Sequence, residues 1–199
     1  YLLVGDIGDN QASRHGGVML HLIGEPENRV GSGQPVWSLR VTYPGGPRDA
    51  EALAVDADAG FAYLLSKRTQ PPQLYRVPLQ PGQVQAEFLG TIRPLDAPFV
   101  SELPSHLPVM PFLHQPTDMA FAPNGQEVSV LTYAHLYVFA RKPDQSWLDA
   151  LQGIPQVIDL PGARQYEGLS YTPDGQGWCI AEEGEATVFL CLARSALDA

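Results

Sequence analysis

An all-β fold, a β-propeller, is what this sequence predicts, and three observations carry the reading. An acid-led alternating strand, a Gly-containing turn and a second apolar strand occur together at Asp49–Lys67, and again at Thr117–Tyr133 and Tyr166–Glu183. The leading acids, Glu51, Asp118 and Glu167, stand 67 and 49 residues apart; a period of about 40–50 residues or more suits propeller blades with loop insertions. Gly and Pro number 19 each, which asks for many turns and few long helices. About four blades are visible, as part of a ring of roughly five to seven.

Within each unit the residues after the acid are apolar at every second place: Leu53 and Val55, Ala120, Leu169 and Tyr171. That period marks a strand with one face buried. The 199 residues suffice for a single domain over 1–199 with a substantial core. Tyr1-Leu-Leu-Val4 matches Tyr63-Leu-Leu-Ser66, the second strand of the unit. The expectation is therefore an N-terminally incomplete propeller, lacking the first strand of its first blade. A net charge of −10 speaks against nucleic acid as a partner and against an anionic membrane surface. No apolar run approaches the roughly 18 residues of a membrane span, so the chain is not expected to cross a membrane by a helix.

Taken in order, the chain begins with a strand and the loop Gly5-Asp-Ile-Gly-Asp-Asn10, in which oxygen ligands converge or an ordinary turn is made. A strand at Gly17–Ile23 and a surface connection at Glu25–Pro35 follow, then an alternating outer strand at Val36–Tyr43. The Asp49–Lys67 unit continues into strands at Gln73–Leu79 and Gln85–Ile92, the four that a blade requires. Asp56-Ala-Asp58-Ala-Gly60 lacks the later ligands of a calcium loop and reads as a turn.

Residues 93–116 form a proline-rich insertion with His106 and His114, placed over one end of the channel. After the second unit come a strand at Ala134–Ala140, a short helix at Ser146–Gln152 capped by Ser146, and an outer strand at Pro155–Leu160. The last unit holds Cys179 and Cys191, symmetric about Gly184-Glu185. A hairpin there sets the two directly opposite, within disulfide range; the alternative is two buried thiols. A disulfide would place the chain in an oxidising compartment, secreted or periplasmic.

An acid at the same place in several blades puts carboxylates at one end of one channel, and such a ring needs a cation, a Lys or a shared proton. Nucleophile-elbow, zincin, Walker and dinucleotide motifs are absent from the sequence.

The motifs Gly5-Asp-Ile-Gly-Asp-Asn10, Asp49-Ala-Glu-Ala-Leu53, Lys67, Asp118 before Met-Ala-Phe-Ala-Pro-Asn-Gly, Thr132-Tyr133 and Tyr166-Glu-Gly-Leu169 resemble a group of exported bacterial β-propellers. That group is similar to the beta-propeller phytases and to esterase-like phytase-like proteins. The resemblance implies calcium as cofactor, with Asp6, Asp9, Glu51, Asp118 and Glu167 as its ligands. It also implies Glu51, Lys67 and Glu167 as catalytic residues and a small anionic ester as substrate. The activity implied is calcium-dependent hydrolysis of a phosphoric or carboxylic ester, phytase-like or lactonase-like. Only 12 Lys and Arg stand in the chain, few for a phosphate-rich substrate. The competing reading is a non-catalytic propeller, a binding or scaffold subunit with a protein partner, in which the acids hydrogen-bond backbone N–H groups of neighbouring blades.

Overall fold

The computed structural model describes residues 1–26, 33–96, 112–161, 165–184 and 189–196. Its sheets follow one another along the chain. The first contains β1 (Leu2–Asp6), β2 (Val18–Ile23) and β3 (Trp37–Thr42). The second contains β4 (Ala50–Asp56), β5 (Phe61–Ser66), β6 (Gln73–Pro78) and, after an excursion, β8 (Glu87–Thr91). The third is built of β9 (Pro116–Phe121), β10 (Glu127–Thr132), β11 (His135–Ala140) and β12 (Gln156–Asp159). The fourth has β13 (Tyr166–Tyr171), β14 (Gly177–Glu182) and β15 (Phe189–Ala193). Each sheet is a blade, and the four are arranged as a β-propeller. The excursion is β7 (Gly82–Gln85), which leaves the second blade and pairs parallel to β3 in the first. The strands expected at 73–79 and 85–92 correspond to β6 and β8 of this blade; the sequence pattern gives no sign of the detour through β7 between them. The detour covers the outer edge of β3, whose backbone groups would otherwise stand unpaired.

Side-chain alternation explains why the second strand of each unit reads as nearly continuous apolar sequence. In β5, Ala62 and Leu64 enter the core between the first and second blades, while Tyr63 and Leu65 enter the core between the second and third. Both faces are buried, so both parities must be apolar. Each Leu so buried contributes about 2 kcal/mol. A third core, with Leu131, Leu136, Tyr166, Trp178 and Ile180, joins the third and fourth blades.

The innermost strands pack in series, β4 beside β9 and β9 beside β13. Their far ends turn alike, with Gly60, Gly125 and Gly175 at φ 74°, 66° and 70° and each N–H bonded to the carbonyl three residues back. Those left-handed positions are what the Gly of each repeat supplies. Helix α1 (Trp147–Leu151) is capped by Ser146, whose Oγ accepts from Asp149 N at 3.1 Å. Trp147 lies against Phe121, ring centroids 4.0 Å apart, and its Nε1 donates to Asp56 at 2.9 Å, tying the second blade to the third. Cys179 and Cys191 are directly paired across β14 and β15 and form a disulfide. Most of the proline-rich insertion, with His106, lies outside the described residues. Among the described residues no helix is long and apolar enough to cross a membrane.

Candidate functional site

The inner strands begin with an irregularity that aims side chains. Pairing of β4 with β5 skips Glu51, between Ala50 opposite Ser66 and Ala52 opposite Leu65. Pairing of β13 with β14 skips Glu167 in the same way. Each is the extra residue of a β-bulge, a device that redirects a side chain at a sheet end. In β9 the skipped residue is Thr117, since Pro116 faces Thr132 and Asp118 faces Leu131. The position equivalent to Glu51 and Glu167 is therefore Thr117, and Asp118 stands one residue further along. This corrects the sequence alignment of the three acids, which counted apolar residues and had no means of seeing the bulge.

The shift changes what Asp118 does. Its carboxylate accepts backbone N–H bonds from Met119 at 2.8 Å, Leu169 at 2.7 Å and Leu53, one from each of the three inner strands. Burial pushes its carboxyl up to about 7, against those three N–H donors, which pull it down. Thr117 adds a second tie, its Oγ1 donating to Tyr166 O at 2.7 Å.

Glu51 and Glu167 instead close a chain of side-chain hydrogen bonds. Lys67 Nζ donates to Glu51 Oε2 at 2.5 Å and to Tyr133 Oη at 2.9 Å. Tyr133 Oη donates in turn to Glu167 Oε1 at 3.1 Å. The two donors stand at equivalent positions: Lys67 and Tyr133, like Glu183 in the last repeat, follow directly on the residue paired across the bulge. The second, third and fourth blades thus meet in one line, Glu51–Lys67–Tyr133–Glu167. The Lys67 side chain is 7% exposed and that of Glu51 24%. Burial works against the Lys67 charge, but hydrogen bonds to Glu51 and Tyr133 outweigh it and raise its pKa. Burial raises the Glu167 carboxyl; the Tyr133 hydrogen bond lowers it, and Glu183 and Glu51 raise it further. Tyr133 is raised by burial as well, with Lys67 opposing.

Asp6 and Asp9 belong to a separate network at the junction of the first and second blades. Arg14 grips Asp6 with two bonds of 2.8 and 2.9 Å and also donates to the Asp6 and Gly8 carbonyls. Asp9 accepts from Ser13 N and Arg14 N, both at 2.9 Å. Asp9 N donates to Asp49 Oδ1 at 2.8 Å, and Arg68 bridges Asp49 to Asn10. Lys67 and Arg68, adjacent in sequence, thereby serve two different networks.

Of the five carboxylates expected to hold calcium, Glu51 and Glu167 are brought into one line, with the Lys67 ammonium and the Tyr133 hydroxyl between them. Asp118 is spent on backbone, and Asp6 and Asp9 on Arg14 and local N–H groups. Among the described residues no three His, Cys, Asp or Glu side chains stand together as a metal group. As placed, the five do not fit a calcium cage, which wants about six to eight oxygens around one point. Lys67 supplies the compensation that a ring of acids requires. Sequence reading named Glu51, Lys67 and Glu167. Tyr133, which links them, was visible only as a strand end, and Asp49, Arg68 and Arg14 only as charged neighbours of motif residues.

No protein-family model matches the chain, and no curated protein matches it. Solved structures do. Hydrazine synthase of Kuenenia stuttgartiensis is similar at a TM-score of 0.42 and 12% identity, over 82% of this chain and 38% of that one. The periplasmic gluconolactonase PpgL of Pseudomonas aeruginosa is similar at a TM-score of 0.47 and 9% identity, over 96% of this chain and 52% of that one. The chain spans about half the length of the lactonase and less of the synthase. Likeness at this distance carries nothing about chemistry, and the narrower resemblance to phytase-like propellers rests on the sequence motifs alone.

Proposed function

We propose that the chain is a hydrolytic propeller of an exported protein, acting on a small carboxylic ester or lactone where the inner strands begin. One observation carries this reading: three blades converge on a single hydrogen-bonded line of titratable groups, Glu51–Lys67–Tyr133–Glu167. Perturbed ionisable groups, as Lys67, Tyr133 and Glu167 are, joined in this way are what acid–base chemistry needs. The Glu167 carboxylate takes a proton from water, whose oxygen bonds to the substrate carbonyl carbon. Lys67 Nζ faces the oxygen that becomes negative. The ester C–O bond then breaks, and the proton passes from Glu167 to the departing oxygen. Glu51 hydrogen-bonds the one lysine here, and Glu51 and Glu183 add negative charge about Glu167, so a neutral ester or lactone suits the site better than a phosphate monoester. Export is supported by the Cys179–Cys191 disulfide.

The test is hydrolysis of p-nitrophenyl acetate, a δ-lactone and a phosphate monoester by the wild-type protein and by Glu167→Gln, each with calcium and with chelator. The reading expects ester or lactone turnover that falls at least about a hundredfold in the variant while the melting temperature holds. Turnover that needs calcium, with a calcium-dependent rise in melting temperature, would restore the metal-dependent version. A second reading, a non-catalytic binding or scaffold propeller, is favoured by Asp118, whose oxygens serve the backbone of three blades. Absence of turnover on all three substrates would select it.

A further inference from the structure

At the end of the first blade, where the chain leads on toward the second and apart from the line of Glu51 and Glu167, lies a small cavity of about 80 Å³. Asp9, Arg14, His15, Thr42, Tyr43 and Arg48 contribute to its lining. Tyr43 is 5% exposed, and its hydroxyl has no hydrogen-bond partner among the described residues. A buried hydroxyl left in that condition keeps its desolvation cost uncompensated and calls for an acceptor. Burial raises the Tyr43 pKa, with Tyr75 and Asp49 adding to it and Arg14 opposing, so the hydroxyl keeps its proton and is a donor. The ring is held by an edge contact with Tyr75, centroids 4.9 Å apart.

Arg48 is the second unusual group. Its Nη1 donates to Pro47 O at 2.9 Å and Gly46 O at 3.4 Å, and its Nε to Gln73 Oε1 at 3.3 Å. All three acceptors are neutral, and no carboxylate of the described residues pairs with it. In a chain of net charge −10, a partly buried guanidinium without an acid partner is out of keeping with its surroundings. The other charges at the cavity are settled. Arg14 is matched by Asp6, Asp9 spends its oxygens on the Ser13 and Arg14 N–H groups, and Asp49 just beyond is matched by Arg68. What is left over is one positive charge and one hydroxyl proton.

We propose that this cavity binds a small oxyanion, an inorganic phosphate or the carboxylate or phosphate head of a small molecule, held by the Arg48 guanidinium and the Tyr43 hydroxyl. The volume has room for about two waters at ~30 Å³ each, or for one oxyanion group of similar bulk. Guanidinium plus hydroxyl is a donor set matched to oxygen acceptors on a negative group. Occupation would bridge residues 42–48 at the end of the first blade to the loop around Asp9, beside the Asp49–Arg68 tie.

Melting temperature and calorimetric titration with sodium phosphate, sodium acetate and a phosphate monoester, at constant ionic strength, test this. The wild type shows a saturable rise with at least one of the three, and the order among them separates free phosphate from a carboxylate or an esterified head. Tyr43→Phe, which folds because it removes only an unpaired hydroxyl, weakens binding about five- to tenfold. Arg48→Met abolishes it. No saturable rise with any of the three anions overturns the proposal and leaves the cavity to water. A rise that persists undiminished in Tyr43→Phe overturns it too, by placing the anion elsewhere. Ester hydrolysis plays no part in these readouts, so they stand or fall apart from the proposed reaction.

Discussion

The two ends of the inner strands tell different stories. At the far end the three repeats are alike: Gly60, Gly125 and Gly175 hold nearly the same left-handed φ and make the same turn hydrogen bond. Where the strands begin, equivalent positions carry Glu51, Thr117 and Glu167, and beside them Lys67, Tyr133 and Glu183. Uniformity belongs where the backbone itself dictates the residue, because a left-handed turn asks for Gly in every blade. Divergence belongs where each blade contributes a different chemical part to one assembly. Neither bulge nor turn differs between the repeats in backbone terms, so the variety among the side chains is spent on contacts across the blades.

Asp118 is the point at which the near end borrows from the logic of the far end, and it gives the largest predicted effect. Asp118→Ala strips the acceptor from N–H groups on β4, β9 and β13, and costs about 3 kcal/mol or more in denaturant unfolding. Its sign with pH is also fixed. Burial holds the native carboxyl at about 7 against 3.8 for an unperturbed Asp, so the folded state binds that proton the more tightly. The stabilisation is complete below 3.8 and is lost as pH rises through about 7. Unfolding curves between pH 4 and 8 should show this fall in the wild type and a flatter line in Asp118→Asn. A wild-type curve that climbs over that range would show that the three N–H donors win over burial.

Next in size is Lys67→Met. With the ammonium gone, Glu51 and Glu167 lose their compensating charge, and hydrolysis should drop about a hundredfold or more. The accompanying loss of stability is about 1–2 kcal/mol, below that of a fully buried pair because Glu51 is partly exposed to solvent. A variant that keeps full turnover would sever the reaction from this end of the strands. At the far end the contrast runs the other way: Gly125→Ala and Gly175→Ala should each cost about 1–2 kcal/mol for an L-residue in the left-handed region, with turnover unchanged. Neither Cβ meets anything closer than 3.7 Å, so the cost is conformational and should be similar at the two sites. Unequal costs would mean that the turns are less equivalent than their dihedrals.

How much of this was legible in sequence follows from which signals are local. The repeats, the alternation in β4, the helix cap at Ser146 and the pairing of Cys179 with Cys191 depend on near neighbours or on one hairpin, and all could be read. Glu51, Lys67 and Glu167 were legible as polar residues at the ends of apolar strands. A bulge changes the register by one residue without changing the apolar pattern around it, which is why Asp118 was aligned with the wrong partners. The detour of β7 and the Tyr133 link are set by contacts between blades, and single-chain periodicity carries no record of those. Asp6 and Asp9 looked like convergent ligands because Arg14, eight and five residues on, is not recognisable as their partner until the loop is folded.

The smallest effect is the sharpest probe of the comparison, since it concerns the third member of the series Lys67, Tyr133, Glu183. Glu183 is exposed and makes no hydrogen bond to Glu167, yet its charge is among the influences that raise the Glu167 carboxyl, after burial. Glu183→Gln removes that like charge and leaves the burial, so the Glu167 pKa should fall, the effect being small because solvent screens the pair. Glu167 must be ionised to take a proton from water. The acidic limb of kcat/KM against pH therefore moves to lower pH in the variant, and the shift shrinks in high salt because the coupling is screened. Glu51→Gln should move the same limb in the same direction but also disturb Lys67, so only Glu183→Gln isolates the charge. A limb that stays fixed at low and high salt would mean that the titrating group is not Glu167, and the line from Lys67 through Tyr133 would then be a structural tie like that of Asp118.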